Sequence, residues 1–116
     1  MPIGTSYGTR RYNTLITLTW ADAVVDEYGH ASFDKPVDVV QVYASVEQMS
    51  ATKTMMTFQQ ADVIGLDIEF RNPNRAFNGI RYEGREVHFS QPKEMQRGRI
   101  LSVSGYYQKD NPSYGK

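Results

Sequence analysis

The chain has 116 residues, with 13 Lys and Arg against 13 Asp and Glu, so its formal net charge is zero. That length fits one domain with a modest core, and the balanced charge speaks against a dedicated nucleic-acid binder, which usually carries a basic excess. Cysteine is absent, which excludes disulfide staples, thiolate metal sites and cysteine nucleophiles.

The first stretch, "MPIGTSYGTRRYNT", has no apolar signal core, so a cytoplasmic site of synthesis is expected. No apolar run is long enough to cross a membrane. Residues 1–12 and 107–116 combine Gly, Pro and Tyr without periodicity and are expected to be flexible tails of a single domain over 1–116. The eight Tyr exceed what a small core needs. Tyrosine offers a large contact area with a polar tip and is enriched at interfaces. Tyr7, Tyr12, Tyr107 and Tyr114 are therefore candidate anchors on neighbouring subunits or partners.

The first element is a strand. In "NTLITLTWADAVV", Ile16, Leu18 and Trp20 share one face, with Thr17 and Thr19 opposite. "DEYGH" at 26–30 predicts a turn. A second strand follows in "VVQVYASVE", with Val40, Val42, Ala44 and Val46 on one face. In "DVIGLDIEFR", Ile64, Leu66, Ile68 and Phe70 alternate with Gly65, Asp67, Glu69 and Arg71, the pattern of a half-buried antiparallel strand. "NPNRAFNG" (72–79) predicts a surface loop, and "GIRYEGREVHF" a hairpin turning at Glu83-Gly84. "QPKEMQRG" (91–98) predicts another loop, and "RILSVSGYY" a last strand with Leu101 and Val103 on one face.

Five to seven short strands with turns between them predict an all-β fold: a small antiparallel barrel or sandwich, with a long loop or short helix inserted between strands. The expected core is Ile16, Leu18, Trp20, Val40, Val42, Val46, Ile64, Leu66, Ile68, Phe70, Val87, Phe89, Leu101 and Val103.

The insertion is "MSATKTMMTFQQA", residues 49–61. It alternates like neither a strand nor a good amphipathic helix. Met55, Phe58 and Gln59 would share a helical face, but the Ser and Thr content makes the helix poor in isolation. Methionine repacks against different surfaces, so Met49, Lys53, Met55, Met56 and Phe58 form a candidate channel or interface segment. Two placements stay open: a mobile segment packing against symmetry mates, or a lid over one end of its own barrel.

Catalytic and metal chemistry find little support. His30 and His88 lie far apart, and neither has the spacing of a zinc or calcium site. Asp67 and Glu69 share the outer face of a strand and read as a solvated face rather than an acid–base pair. There is no nucleophile elbow and no phosphate loop. No catalytic residue, metal or cofactor is expected, and the chain is not expected to be an enzyme. Basic and aromatic residues interleave in "RNPNRAFNGIRYEGR" (71–85), where Arg71, Arg75, Arg81 and Arg85 with Phe77 and Tyr82 form a candidate single-stranded nucleic-acid platform. The plainer reading pairs Arg71, Arg81 and Arg85 with Glu69, Glu83 and Glu86. Arg71, Arg75 and Phe77 are also candidate protein-interface anchors.

In order and spacing, "VYASVE", a segment of about a dozen residues, "ADVIGLDIEFR", "GIRYEGREVHFSQP" and "RGRILSVSGY" resemble the phage head–tail joining family, the head-closure or stopper proteins of long-tailed phages. The resemblance covers roughly residues 14–106. It implies a small β-barrel that forms a ring in the virion neck, closes the DNA-filled head and joins it to the tail. Partners would be further copies of the chain, portal or adaptor proteins, tail proteins and, non-specifically, packaged double-stranded DNA. Assembly would take place in the host bacterial cytoplasm. The family's long inter-strand loop, projecting towards the channel, falls on residues 49–61. The chain departs from the family pattern in its longer "NPNRAFNG" loop and in Glu27-Tyr28-Gly29 at the first turn.

Overall fold

The computed structural model describes residues 12–33 and 35–109. Nine strands and one helix follow in order: β1 Thr14–Trp20, β2 Val24–Val25, β3 Ala31–Ser32, β4 Val37–Gln48, α1 Ala51–Phe58, β5 Val63–Arg71, β6 Gly79–Tyr82, β7 Arg85–Phe89, β8 Lys93–Met95 and β9 Ile100–Gln108. The main sheet runs β5-β4-β1-β6-β7-β9-β8, and β5 also pairs with β9. That last pairing closes a six-stranded antiparallel barrel, with β8 alongside the start of β9. The expected all-β barrel is what the chain forms, and the insertion between β4 and β5 is a helix.

The alternation follows from the closed sheet. Ile16, Leu18, Ala44, Leu66, Ile68, Phe70, Ile80, Val87, Leu101 and Val103 make one buried cluster. Val40, Val42, Val46, Ile64 and Phe89 pack against it while staying partly accessible. Ala44 and Ile80 complete the core beyond the expected set. Ile80 faces Leu18 on one side and Val87 on the other.

Trp20 departs from the expectation, being partly exposed. It stands one residue past the last β1–β6 pair, Thr19–Gly79, where β1 is paired only with β4, through the exposed Val37. Its indole donates to Asp22 instead (2.8 Å). Nearby, the β1–β4 register slips by one residue between Leu18 and Thr19, so Val39 is passed over. Such a bulge bends the strand and raises the local twist, which a small barrel needs in order to turn its corner.

Gly105 serves closure in another way. It faces Phe89 in the β7–β9 pair. A Cβ there would lie 2.7 Å from the His88 carbonyl oxygen and 2.7 Å from Val87 Cγ1. Only a residue without a side chain allows β7 and β9 to approach so closely.

The expected loop at 91–98 is in part a strand. β8 pairs with β9 through Lys93–Ser102, Glu94–Leu101 and Met95–Ile100. A turn follows with Gln96 at φ 52° and Arg97 at φ 58°, closed by the Gly98 N–H donating to the Met95 carbonyl (3.1 Å). Positive φ at both central positions is the type I′ geometry that suits a hairpin's twist. Asn and Gly favour it; Gln and Arg hid it from a sequence reading. By contrast, the turn at Glu83 (φ 52°) and Gly84 (φ 76°) lies where the sequence predicts it.

Two substitutions test the closed barrel. Ile68→Ala should cost about 2–5 kcal/mol in urea unfolding, as a large-to-small change in a packed core. Gly105→Ala should cost about 1–3 kcal/mol, because its Cβ meets backbone that cannot rotate away. A Gly105→Ala protein as stable as the parent would contradict the close β7–β9 approach.

Candidate functional site

Within residues 49–61, Ala51–Phe58 form a capped helix on the outside of the barrel. The Ser50 hydroxyl accepts from the Lys53 N–H (3.1 Å), satisfying one of the helix's orphan donors. At the other end Gln59 takes a left-handed conformation, and its N–H reaches the Met55 carbonyl (2.7 Å). Eight residues cannot hold a helix alone, so the docking face matters. Met49 and Thr54 are buried over Gly65 on the outer face of β5, where a Cβ would come within 2.7 Å of Met49 Sδ and Thr54 Oγ1. The Thr54 hydroxyl is satisfied by the Ser50 carbonyl (2.8 Å). Phe58 packs against Tyr106 with ring centroids 4.9 Å apart, and Lys53 pairs with Asp67 (2.8 Å).

These contacts divide the expected segment. Met49 is a buried strut and Phe58 is half-buried, so neither offers a free surface as expected. Lys53 is committed to Asp67. Met55 and Met56 remain outward, 44% and 76% exposed. The helix docks on the outer face of β5.

A second feature escaped the sequence reading. Between β1 and β4 the chain leaves the barrel as a two-stranded ribbon, pairing Val24 with Ser32 and Val25 with Ala31. The expected turn at 26–30 is its tip. There Asp26 Oδ1 accepts from the Tyr28 and His30 N–H groups (both 2.9 Å). Among the described residues the ribbon packs on no other strand or helix. It nevertheless exposes Val24, Val25, Tyr28 and Phe33, with Val37 at its root. The adjacent Val-Val and the isolated Phe33 were the available signal, but a two-residue strand leaves no period to read. A further exposed apolar pair lies on the barrel wall, where Leu15 and Tyr43 face each other across β1 and β4.

The Arg/aromatic stretch at 71–85 does not form one platform. Arg81 pairs with Asp38 (2.9 Å), not with the expected Glu83. The Arg85 guanidinium stacks 4.9 Å from the Tyr107 ring centroid. Phe77, expected as an interface anchor, turns inward and meets Phe70 (6.0 Å) and Phe89 (6.4 Å), so that its loop closes the barrel end. The loop is latched by Asn78, whose side chain accepts from the Ala21 N–H (2.9 Å) and donates to the Ala21 carbonyl (2.8 Å). Arg71 and Arg75 stay exposed. Of the tail residues, Tyr12 donates to Glu69 (2.6 Å). Tyr107 lies within β9, pairing with Ile64 and packing near Tyr82 at 6.3 Å, so the ordered barrel runs further than expected. Tyr7 and Tyr114 lie outside the described residues.

The carboxylates are engaged in structural contacts. Asp67 holds Lys53 and the Ser104 hydroxyl (3.0 Å). His30 sits at the ribbon tip, 3.5 Å from Asp26, and His88 faces outward beside Tyr106 (5.2 Å). Among the described residues no cluster of three His, Asp or Glu is arranged to hold a metal.

One titration is displaced. Burial holds the Tyr82 phenol above its ordinary 10.0, with Glu83 and Tyr107 adding to the shift and Arg85 opposing it. Folding therefore favours the neutral phenol, so this contribution is intact below pH 10 and is lost as pH rises above it. Tyr82→Phe should lose less stability than the parent above pH 10 in a series of urea titrations. Parallel decline of the two proteins would show that another group governs the alkaline limb.

No protein-family model matches the chain, and no curated protein does. Among solved structures, the chain is similar to a protein of Shigella flexneri 2a whose solution structure came from a structural-genomics consortium. The two share 15% identity and a TM-score of 0.57, over 89% of this chain and 98% of that one. At that identity the similarity establishes the fold: this chain is a closed, six-stranded antiparallel barrel with a helix between β4 and β5.

Proposed function

We propose that the chain is a structural subunit that forms a ring in the neck of a long-tailed phage or prophage particle, closing the DNA-filled head and joining it to the tail. The observation that carries this reading is the projecting β2–β3 ribbon, which exposes Val24, Val25, Tyr28 and Phe33 and packs on no other strand or helix among the described residues. Exposed apolar surface of this kind marks a contact for another protein. A closed ring needs two different, complementary patches on each subunit. The ribbon supplies one. The Leu15–Tyr43 pair on the barrel wall supplies a second, with Met55 and Met56 available to the tier above or below. Portal or adaptor proteins and tail proteins are the proposed partners beyond the ring, and packaged double-stranded DNA passes through it. Assembly takes place in the host cytoplasm and the finished ring resides in the virion neck.

The free protein should be monomeric or weakly associated, because its exposed apolar side chains lie in small separate groups rather than one large patch. Its lack of cysteine makes trapping straightforward. A Val25→Cys, Tyr43→Cys double variant, oxidised at high concentration, should give a ladder of disulfide-linked species ending at one closed size. Electron microscopy of that end product should show rings with a central hole. Only monomers, or a ladder without limit, would overturn the ring.

A further inference from the structure

At the barrel end that carries the 72–78 loop, the β8–β9 turn and the start of β9 enclose a cleft of about 510 Å³ with the end of β5. Its lining includes Arg71, Arg97 and Arg99, with the amides of Asn72, Asn74 and Gln96. Arg75 stands exposed one residue beyond Asn74. None of these four arginines has an ion-pair partner among the described residues. Glu94 places a carboxylate oxygen beside Gly98 (3.4 Å from the site of a Cβ there) but does not line the cleft. In a chain of zero net charge, this is a local concentration of cations without an ion pair among the described residues.

The cleft is also held in shape. The Asn72 N–H donates to the Arg99 carbonyl (2.8 Å), and its side-chain amide donates to the Gly98 carbonyl (2.9 Å). Its side-chain oxygen accepts from the Asn74 N–H (2.8 Å). One asparagine thus staples the loop after β5 to the β8–β9 turn and keeps Arg71 beside Arg97 and Arg99. Arg97 holds its place at φ 58°, where glycine would sit without strain.

The geometry points to a binding site for the phosphate backbone of double-stranded nucleic acid. Guanidinium forks suit phosphate oxygens, and neutral amides complete such contacts. An extended protein interface has an apolar centre, and among the described residues the one large apolar side chain lining this cleft, Ile100, is buried. Bases of a single strand would need an aromatic ring to stack on, and among the described residues no aromatic side chain lines the cleft. Backbone contact without base readout is what remains. The inference concerns the isolated subunit and does not depend on ring formation.

The test is fluorescence anisotropy of the full chain with a short labelled DNA duplex. With three arginines engaged, the logarithm of affinity should fall against the logarithm of salt with a slope of about −2.7. Arg97→Gly is the decisive variant, because it relieves the turn and so keeps the fold intact. It should weaken binding about tenfold and reduce the slope by about 0.9. Glu94→Gln should tighten binding. Arg81→Gln, which removes a cation already paired with Asp38, should leave it unchanged. Absence of binding at low salt, or an Arg97→Gly protein that binds like the parent, would overturn the site. Equal competition by inorganic phosphate at matched phosphate concentration would reduce it to a free-anion site and overturn the polymer. Tighter binding of a single strand would overturn the backbone-only mode. Binding that survives while the oxidised double-cysteine protein gives no ring would overturn the neck assignment and leave this site standing.

Discussion

The nine-residue ladder between β5 and β9 is the constraint on which the molecule depends. It runs in register from Val63–Gln108 to Arg71–Ile100 and turns an open sheet into a barrel. An open sheet of this size would leave edges with unpaired backbone groups, ready to pair with other chains. Closure removes the main edges and buries one face of every barrel strand at once. It also sets the demands on neighbouring residues: a bulge where β1 meets β4, and no side chain at position 105 where β7 crosses β9. These departures from regular strand geometry are local conditions for closing so small a barrel.

Once the wall is closed, little of the barrel remains for recognition except what is attached to it. The chain attaches three features. The β2–β3 ribbon leaves the wall between β1 and β4 and packs on no other element among the described residues. The helix docks on β5 by Met49 and Thr54 and keeps Met55 and Met56 outside. The arginine cleft is made from two loops joined by Asn72. In each case a few polar contacts or caps hold the attachment, while the hydrophobic core lies elsewhere. Loops on a rigid scaffold can change chemistry without unfolding it. Substitutions at Val25, Met56 or Arg97 should accordingly leave the β5–β9 ladder intact.

Period-two alternation was legible because one face of each barrel strand is buried and the other wet. Leu66, Ile68 and Phe70 declared their strand and their inward face, and Glu83-Gly84 declared its turn, from residue types alone. The helix was legible only as a possibility. Its C-cap, Gln59, is a weak signal where Gly or Asn would be usual, and its docking depends on Gly65, a residue of another element that leaves room for Met49 and Thr54. The sequence could mark Met55 and Met56 as costly to expose, but not say that they would stay exposed while Met49 would not.

What the sequence determined by itself is therefore the material: an all-β chain, a single core face, turns at 26–30 and 83–84, and a Met-rich insertion between two strands. Each depends on neighbours within a few residues, where backbone preference and hydrophobic period act directly. The tertiary structure alone decided which side chains became surfaces. Phe77 went inward because the barrel end required a cover, and Trp20 stayed out because β6 ended beneath it. Arg71 joined Arg97 and Arg99 because the β5–β9 ladder brings residues 71 and 100 face to face. The residues that meet there are separated by more than two dozen positions in the chain, and no local rule reaches that far.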